Sequence, residues 1–550
     1  MSYDQTSGQL NSYFIHRLGR RPESPLMVRS KHRISFWTAI GVSAVILLPT
    51  LTFGLGYDHG LYQYMAWAWL KGQWPYRDAF DISFPGIVLI HLVVMLLMGG
   101  SALALRAFDF AVQIITAALQ YKLASEVAEP RAGVIAALLY SVTYTMGGYY
   151  NTAQRDTFLV PLLFLAVLGL WKYTEKLKLR WLVAVGAWLG MASIIRPTYV
   201  MVPAILSLCL LALPKDQALT KRFKAACLLG TVSLLPLLLF IATYVLLGQY
   251  EILYGHFSFL LYAYPYINRQ STVSVIRRII TYPPFVLALV SVYSPEARKN
   301  LPRFAIIGLF LCVCILIRII ESKTHGYYFF PVVAFSALLG GVGLDFVMNT
   351  FTRQMRLTQR ITNLAVLTSF IVITMFFYGK QLAENYLYFP SRFSQHFVEY
   401  PAYGKLIANS DLANAARYLR EHSEPSDFIQ TWGAESMVYY AAGRLAANRV
   451  LTTLLLWCTE DGEIKLFDKC WENKIYAVQD GFRQEILNDV KTKQPKFIIA
   501  ANKPDGSLDV IDGGSFAPDF PELRAIMDGA YRKVAVFGKW GVWERNNVIG

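Results

Sequence analysis

Runs of apolar residues recur through the first two thirds of this chain, and they leave few folds open to it. The run from Ile34 to Leu55 is followed by others near 85–105, 108–127, 131–149, 157–173, 181–195, 197–213, 225–248, 280–294, 303–320, 327–348 and 361–379. These make about twelve stretches, most near the length that a hydrocarbon core of about 30 Å selects for a helix. Of the 550 residues, 55% are hydrophobic and 16% charged, and the mean hydropathy is +0.37. A soluble globular domain carries about 25% charged residues, so a polytopic α-helical membrane protein is the expected class. The net charge of +15 does not imply nucleic acid. Its Lys and Arg residues crowd into short loops between apolar runs, and no basic soluble module is present.

Charge also sets the topology. Residues 1–33 are polar and basic, the first apolar run is too long for a signal core, and no small-residue cleavage site is evident. That stretch is read as a cytoplasmic tail. The basic loops 172–180, 214–224, 294–303 and 350–360 belong on the same side. Five apolar runs separate the tail from residues 172–180, an odd number, so one of them does not cross. The segment 85–105 opens with Pro85-Gly86, is broken by Gly99-Gly100 and leads to Arg106 and Asp109. It is read as a re-entrant or interfacial helix. Residues 56–107 then form one external loop within a transmembrane domain spanning 34–380, with about eleven to thirteen crossings. The same parity places Tyr149–Asp156, the Arg196-Pro197 break, Gln249–Arg278, Glu321–Tyr328 and everything after Lys380 outside.

Residues 390–550 read as an external soluble α/β domain. Strands are expected at Asp427–Trp432, Lys496–Ala500 and Lys533–Phe537, and helices at 405–422, Asp480–Lys491 and Pro521–Gly529. No phosphate loop, GxSxG or HExxH occurs there. The six cysteines show no zinc spacing. Cys458 and Cys470 lie in this external region, as a disulfide or as free thiols.

Chemistry concentrates in the loop from Gly56 to Gly86. It holds Asp58, Asp78 and Asp81, the cations Lys71 and Arg77, and seven Tyr or Trp residues. Asp58 lies just past the first span, where a carboxylate serves as a general base or a metal ligand, or simply caps a helix. Asp156 opens another span from the same side and is also a natural N-cap. Together the two acids can position an acceptor hydroxyl and a cation. Lys323, His325 and Arg196 form a cationic group on that face, suited to a lipid phosphate or to an ion pair with Glu321. The aromatic residues of 57–76 and 250–266 suit an interfacial belt, and they also stack on sugars.

The run Asp58-His-Gly-Leu-Tyr62, Leu70-Lys-Gly72, Pro75-Tyr-Arg-Asp78, Phe80-Asp81 and Pro85-Gly86 resembles the first external loop of the GT-C-type membrane glycosyltransferases. These include protein O-mannosyltransferases and the lipid A aminoarabinose transferase. Arg106, Asp156 and the Lys323–His325–Tyr327 loop extend the match. In the tail, Trp432-Gly433, Tyr440 and Gly443-Arg444 are similar to the external domain of bacterial members. The resemblance runs from about 50 to about 450. It implies an inverting transfer of a hexose or pentose from a polyprenyl-phosphate carrier to an acceptor glycolipid, polysaccharide or protein. The setting implied is the outer face of a bacterial inner membrane. Asp58 matches the catalytic acid and Asp156 its partner. Lys323 and His325, with Arg196, Arg77 or Arg155, would face the carrier phosphate, and Tyr62, Asp78 and Asp81 the sugar or acceptor. A divalent metal between Asp58 and Asp156 is compatible with this scheme but not required by it. One departure stands out: many members carry Lys before the Pro that ends this loop, and this chain has Ser83-Phe84-Pro85.

The rival readings are a transporter or flippase for lipid-linked sugars and an envelope polymer ligase. A transporter gathers its charges near the bilayer midplane, often between paired repeats. Here they gather at one face.

Overall fold

A computed structural model describes residues 25–212, 218–262, 264–266, 269–352, 379–390, 410–433, 436–451, 475–501, 520–538 and 540–546, with positions 361, 365 and 368. Most of the last expected span, most of the basic loop 350–360, and Cys458 and Cys470 lie outside the described residues.

The helical part opens with α1 (Pro25–Leu47), which begins inside the expected tail and continues as a tighter turn to Thr52. There follow α2 (Tyr57–Leu70), α3 (Pro85–Met98), α4 (Ala102–Val127), α5 (Pro130–Thr145), α6 (Arg155–Lys176) and α7 (Leu179–Ile195). Then come α8 (Met201–Ala212), α9 (Leu219–Leu246), α10 (Tyr250–Tyr262), α11 (Thr272–Ile280), α12 (Pro283–Val290), α13 (Leu301–Glu321) and α14 (Phe330–Thr352). Several boundaries are written in the sequence. Pro85, Pro130 and Pro283 each occupy a first turn, where the missing N–H costs nothing. Ser101 caps α4 by accepting from the Ala104 amide at 3.1 Å.

Among the described residues, six helical segments are long and apolar enough to cross a membrane: His32–Thr52, Ala102–Val127, Arg155–Lys176, Leu219–Leu246, Leu301–Glu321 and Gly326–Asn349. The α11–α12 region, bent by 77°, makes a seventh if it is one broken span. The chain is an integral membrane protein, yet this count is lower than the apolar runs implied. The last expected span lies mostly outside the described residues, and several of the other helices are short. α3 has 14 residues and rises about 21 Å, short of a hydrocarbon core of about 30 Å; α7 and the Pro197–Ala212 segment are also short. A second difference concerns the break near residue 106. The chain turns at Gly99–Ser101, so Arg106 and Asp109 lie inside α4 rather than beside it.

α14 is the strut of the bundle. The segment that contains it is 89% buried, and it packs against α5 and α12. Close approach needs small residues: a Cβ on Gly341 would lie 2.6 Å from the Ala132 carbonyl oxygen. At the other extreme α9 exposes Leu235, Leu238, Leu239 and Leu246, an apolar face that suits lipid.

The C-terminal part holds α16 (Ser410–Glu421), α17 (Met437–Ala442), α18 (Ile475–Lys493) and α19 (Pro521–Ala530), after a short α15 (Lys380–Leu387). They surround a five-stranded mixed sheet in the order β2-β1-β3-β5-β4. Its strands are β1 (Phe428–Trp432), β2 (Leu445–Ala446), β3 (Phe497–Ala501), β4 (Tyr531–Phe537) and β5 (Trp540–Arg545). β1 runs parallel to β2 and β3, while β5 is antiparallel to β3 and β4. The sheet domain sits on the first loop. The Ala446 amide donates to the Tyr64 hydroxyl at 2.8 Å, and Tyr440 donates to the Gly100 carbonyl at 2.7 Å. The Phe80 amide donates to the Arg449 carbonyl at 2.8 Å.

Candidate active site

The site is framed by Arg106, fully buried on α4. Its guanidinium donates to the carbonyls of Phe53 (3.1 Å), Gly54 (2.6 Å), Tyr149 (2.8 Å) and Thr152 (3.2 Å), and to the Thr152 hydroxyl (2.9 Å). One side chain therefore ties the turn before α2 to the turn before α6. His59 makes a second tie. Its Nδ1 accepts from the Gly56 amide at 2.8 Å, which leaves Nε2–H to donate to the Thr152 carbonyl at 2.8 Å. The neutral tautomer meets both needs, and burial, with Arg106 next, holds its pKa well below the ordinary imidazole range.

These ties bring Asp58, in the first turn of α2, beside Arg155, at the start of α6. Burial raises the Asp58 pKa, while Arg155 and hydrogen bonds from Tyr327 and Gln154 pull it back. Its Oδ2 is buried without a hydrogen-bond partner. Arg155 donates from Nη1 to the Ser83 hydroxyl at 2.9 Å and from Nη2 to the Tyr328 hydroxyl at 3.2 Å. Ser83 is a hub. Its hydroxyl also meets Tyr62 at 2.9 Å, its amide donates to Asp81 Oδ2 at 2.8 Å, and its carbonyl accepts from Tyr76 at 2.8 Å. The loop position that lacks a lysine is thus reached by a guanidinium from α6.

Behind Arg155 lies a charge cluster. Asp156 is fully buried and its Oδ2 pairs with Arg196 Nη1, with Arg155 Nε at 3.8 Å. Arg196 also pairs with Glu321, donating from Nε at 3.0 Å, and Glu321 takes Arg318 at 2.6 Å. Three guanidiniums face two carboxylates. They close around one ring: Arg196, Arg155 and Arg318 lie 4.2, 5.5 and 5.5 Å from the centroid of Tyr328. Lys323 stands near, its Nζ donating to the Tyr264 carbonyl at 3.1 Å and lying 4.9 Å from that ring. Burial brings the Lys323 pKa down to about 8 against the pull of Glu321. His325 stacks on Tyr327 at 6.0 Å; burial, and then Arg155, Lys323 and Arg196, lower its pKa.

The remaining candidate residues fall in different places. Asp156 has its Oδ2 committed to Arg196, while its Oδ1, like Asp58 Oδ2, is buried without a hydrogen-bond partner. The two acids share Arg155 as a neighbour. Arg77 does not join the cationic group. It donates from Nε to Asp78 at 2.9 and 3.0 Å, and Asp78 also accepts from the Trp74 amide at 2.7 Å. That pair folds a turn, with both side chains partly exposed. Asp81 is buried, and burial raises its pKa while Ser83 lowers it; its charge supports the hub. Tyr62 sits on the hub itself. No group of three or more His, Cys, Asp or Glu among the described residues is arranged to hold a metal ion. Glu321 pairs with Arg196 and Arg318. Arg318 and Tyr328 escaped the sequence reading as site residues, and Ser83 entered it only as a departure from the family pattern. Arg318 carried a signal, being an arginine inside an apolar run, three residues before Glu321.

Residues 85–245 match the sequence model of the family described as dolichyl-phosphate-mannose-protein mannosyltransferase. Among solved structures, ArnT from Cupriavidus metallidurans bound to undecaprenyl phosphate superposes with a TM-score of 0.59 at 14% identity, covering 93% of this chain and 98% of that one. The fold is of the GT-C type. The same protein in its apo state gives a TM-score of 0.55 at 14% identity, covering 92% and 97%. The oligosaccharyltransferase AglB from Archaeoglobus fulgidus, in complex with an inhibitory peptide and a dolichol-phosphate, gives 0.49 at 12% identity, covering 85% and 69%. Among curated proteins no match was found. In this GT-C bundle the charge cluster and Asp58 lie where α2, α6, α7, α13 and the turn before α14 meet.

Proposed function

We propose that the protein is a glycosyltransferase that moves a sugar from a polyprenyl-phosphate carrier to an acceptor hydroxyl at the outer face of a bacterial inner membrane. The observation that carries this reading is the nearness of Asp58 to Arg155, whose charge acts on it. A carboxylate with one buried, unpartnered oxygen stands beside a guanidinium bonded to two neutral hydroxyls. The first is equipped to take a proton and the second to receive phosphate charge.

The step is a single displacement that inverts the anomeric carbon. The acceptor oxygen attacks that carbon, its proton passes to Asp58, and the bond to the carrier phosphate oxygen breaks with its electron pair. A phosphate leaving group needs neutralisation more than a proton. Arg155 supplies it at the reacting end, and the surplus positive charge around Tyr328, with Lys323, supplies it behind. Asp156 acts through Arg196, as a positioning residue. The match of residues 85–245 and the lipid phosphate in the ArnT structure support this donor class. The test uses purified protein and a radiolabelled polyprenyl-phosphate sugar with an envelope-lipid extract as acceptor. Acceptor-dependent release of polyprenyl phosphate is expected. Relocation of label across a vesicle without cleavage would make the protein a carrier instead.

A further inference from the structure

A polar stripe runs along α4 into the interior of the bundle. Arg106, Asp109, Gln113, Thr116 and Gln120 recur at alternating spacings of three and four, and all are fully buried. That spacing puts them on one face of the helix. Polar side chains inside a membrane bundle are costly and mark function. Asp109 is the acid of the stripe. The Tyr144 hydroxyl, from α5, lies 2.7 and 2.8 Å from its two oxygens and donates between them. Gln113 Nε2 donates to Asp109 Oδ1 at 3.0 Å, and Gln113 Oε1 accepts from Tyr140 at 2.6 Å. The charge of Asp109 also acts on Arg106, whose hydrogen bonds described above all go to neutral oxygens.

Tyr144 is engaged on its other side. Its oxygen accepts from the Ala153 amide at 2.9 Å. Ala153 is fully buried with a φ of +57°, in the left-handed region that a residue with a Cβ keeps only when its surroundings hold it there. The Thr152 carbonyl, in the same peptide unit, accepts from Arg106 at 3.2 Å and from His59 at 2.8 Å. α4 therefore grips both ends of one peptide: Arg106 directly, and Asp109 through Tyr144. α6 begins with Arg155, two residues after Ala153, so this kink sets where Arg155 enters the site.

We propose that Asp109 is a positioning residue for the transfer, a role that rests on the reading of Arg155 as the group that meets the donor phosphate. Through Tyr144 it holds the Thr152–Ala153 peptide so that Arg155 reaches Ser83 and stands beside Asp58.

The full chain in detergent is followed by hydrogen exchange across residues 149–158 and by undecaprenyl phosphate binding in native mass spectrometry. Tyr144→Phe keeps the ring and removes the hydroxyl. Asp109→Asn keeps the size and removes the charge. Each is expected to speed exchange at Ala153 by about tenfold or more and to weaken undecaprenyl phosphate by about tenfold. A packing defect would add its loss in any background. A residue that acts through Arg155 does not, so in an Arg155→Gln background Tyr144→Phe is expected to weaken the lipid by no more than about twofold further. Equal loss in both backgrounds would overturn the role, and so would unchanged exchange at Ala153 in both variants. Undiminished lipid binding in Arg155→Gln would overturn the reading of Arg155, and this role with it. Accelerated exchange at Ala153 would then show that the grip is real and that the fault lies in the phosphate reading.

Discussion

Burial holds the Asp58 carboxyl above its ordinary range, and Arg155 is the largest influence opposing that shift. A base works only when deprotonated, so transfer should rise with pH through the elevated Asp58 pKa. Replacing Arg155 with Gln removes the opposing charge and should move that rising limb to higher pH. The same change should raise the KM for the donor, and Arg155→Lys should restore part of both. Asp58→Asn should cut kcat by about 100-fold or more, the usual worth of a positioned base, with an unchanged thermal transition in detergent. Near-normal turnover in that variant would remove Asp58 from the mechanism. Arg196 predicts differently. Among ion pairs of the described residues, its loss leaves Asp156 with only Arg155 at 3.8 Å and Glu321 with only Arg318, and breaking a buried ion pair by removing one partner costs about 3–5 kcal/mol. Arg196→Ala should therefore lower the melting temperature, and adding Asp156→Asn should recover part of it. If Asp156 were a catalytic base, that second change would only deepen the loss of activity without restoring stability.

At the scale of elements, α3 is held against α7 by the absence of a side chain. A Cβ on Gly86 would lie 2.7 Å from the Ile195 amide nitrogen and 2.8 Å from the Ile194 carbonyl. Backbone cannot yield as a flexible side chain does. Gly86→Ala should destabilise by about 1–3 kcal/mol, readable in thermal unfolding, and should weaken donor binding by dragging Ser83, three residues before it. Elements also show how far the sequence could be read. Apolar runs announced a membrane bundle because hydropathy acts locally, and Pro85, Pro130 and Pro283 marked helix starts for the same reason. Six helices among the described residues are long and apolar enough to cross, fewer than the apolar runs, since an apolar helix of 14 residues and a spanning one share their composition and differ in reach. In the sheet domain β1, β3 and β4 fell close to their expected places. β5, Trp540–Arg545, was overlooked, and it owes its place to partners on both sides. The site divided likewise. Asp58 stood out beside a span end, whereas the meeting of Arg155 with Ser83, 72 positions apart, is a product of packing that no local pattern contains.

Across the first loop the helical bundle and the sheet share one apolar core. Gly60 packs on Met437, the Tyr64 and Tyr439 rings lie 5.2 Å apart, and Phe80 forms a lone parallel bridge with Val450. Arg449 adds a bond to the Tyr76 carbonyl at 3.2 Å while its Nε pairs with Glu485 at 2.7 Å. Weakening this seam should loosen the loop without melting the bundle. Arg449→Ala combined with Tyr440→Phe should therefore raise protease sensitivity between residues 71 and 82 and reduce turnover, while helix content by circular dichroism stays the same. Equal protection of that loop in the double variant would show that the seam does not brace it. The seam also sets a clock for biosynthesis. Its two sides come from opposite ends of the chain, so a ribosome must release most of the polypeptide before the loop finds its second support. A half-made copy already threaded into the bilayer should be inert towards its neighbours' substrates.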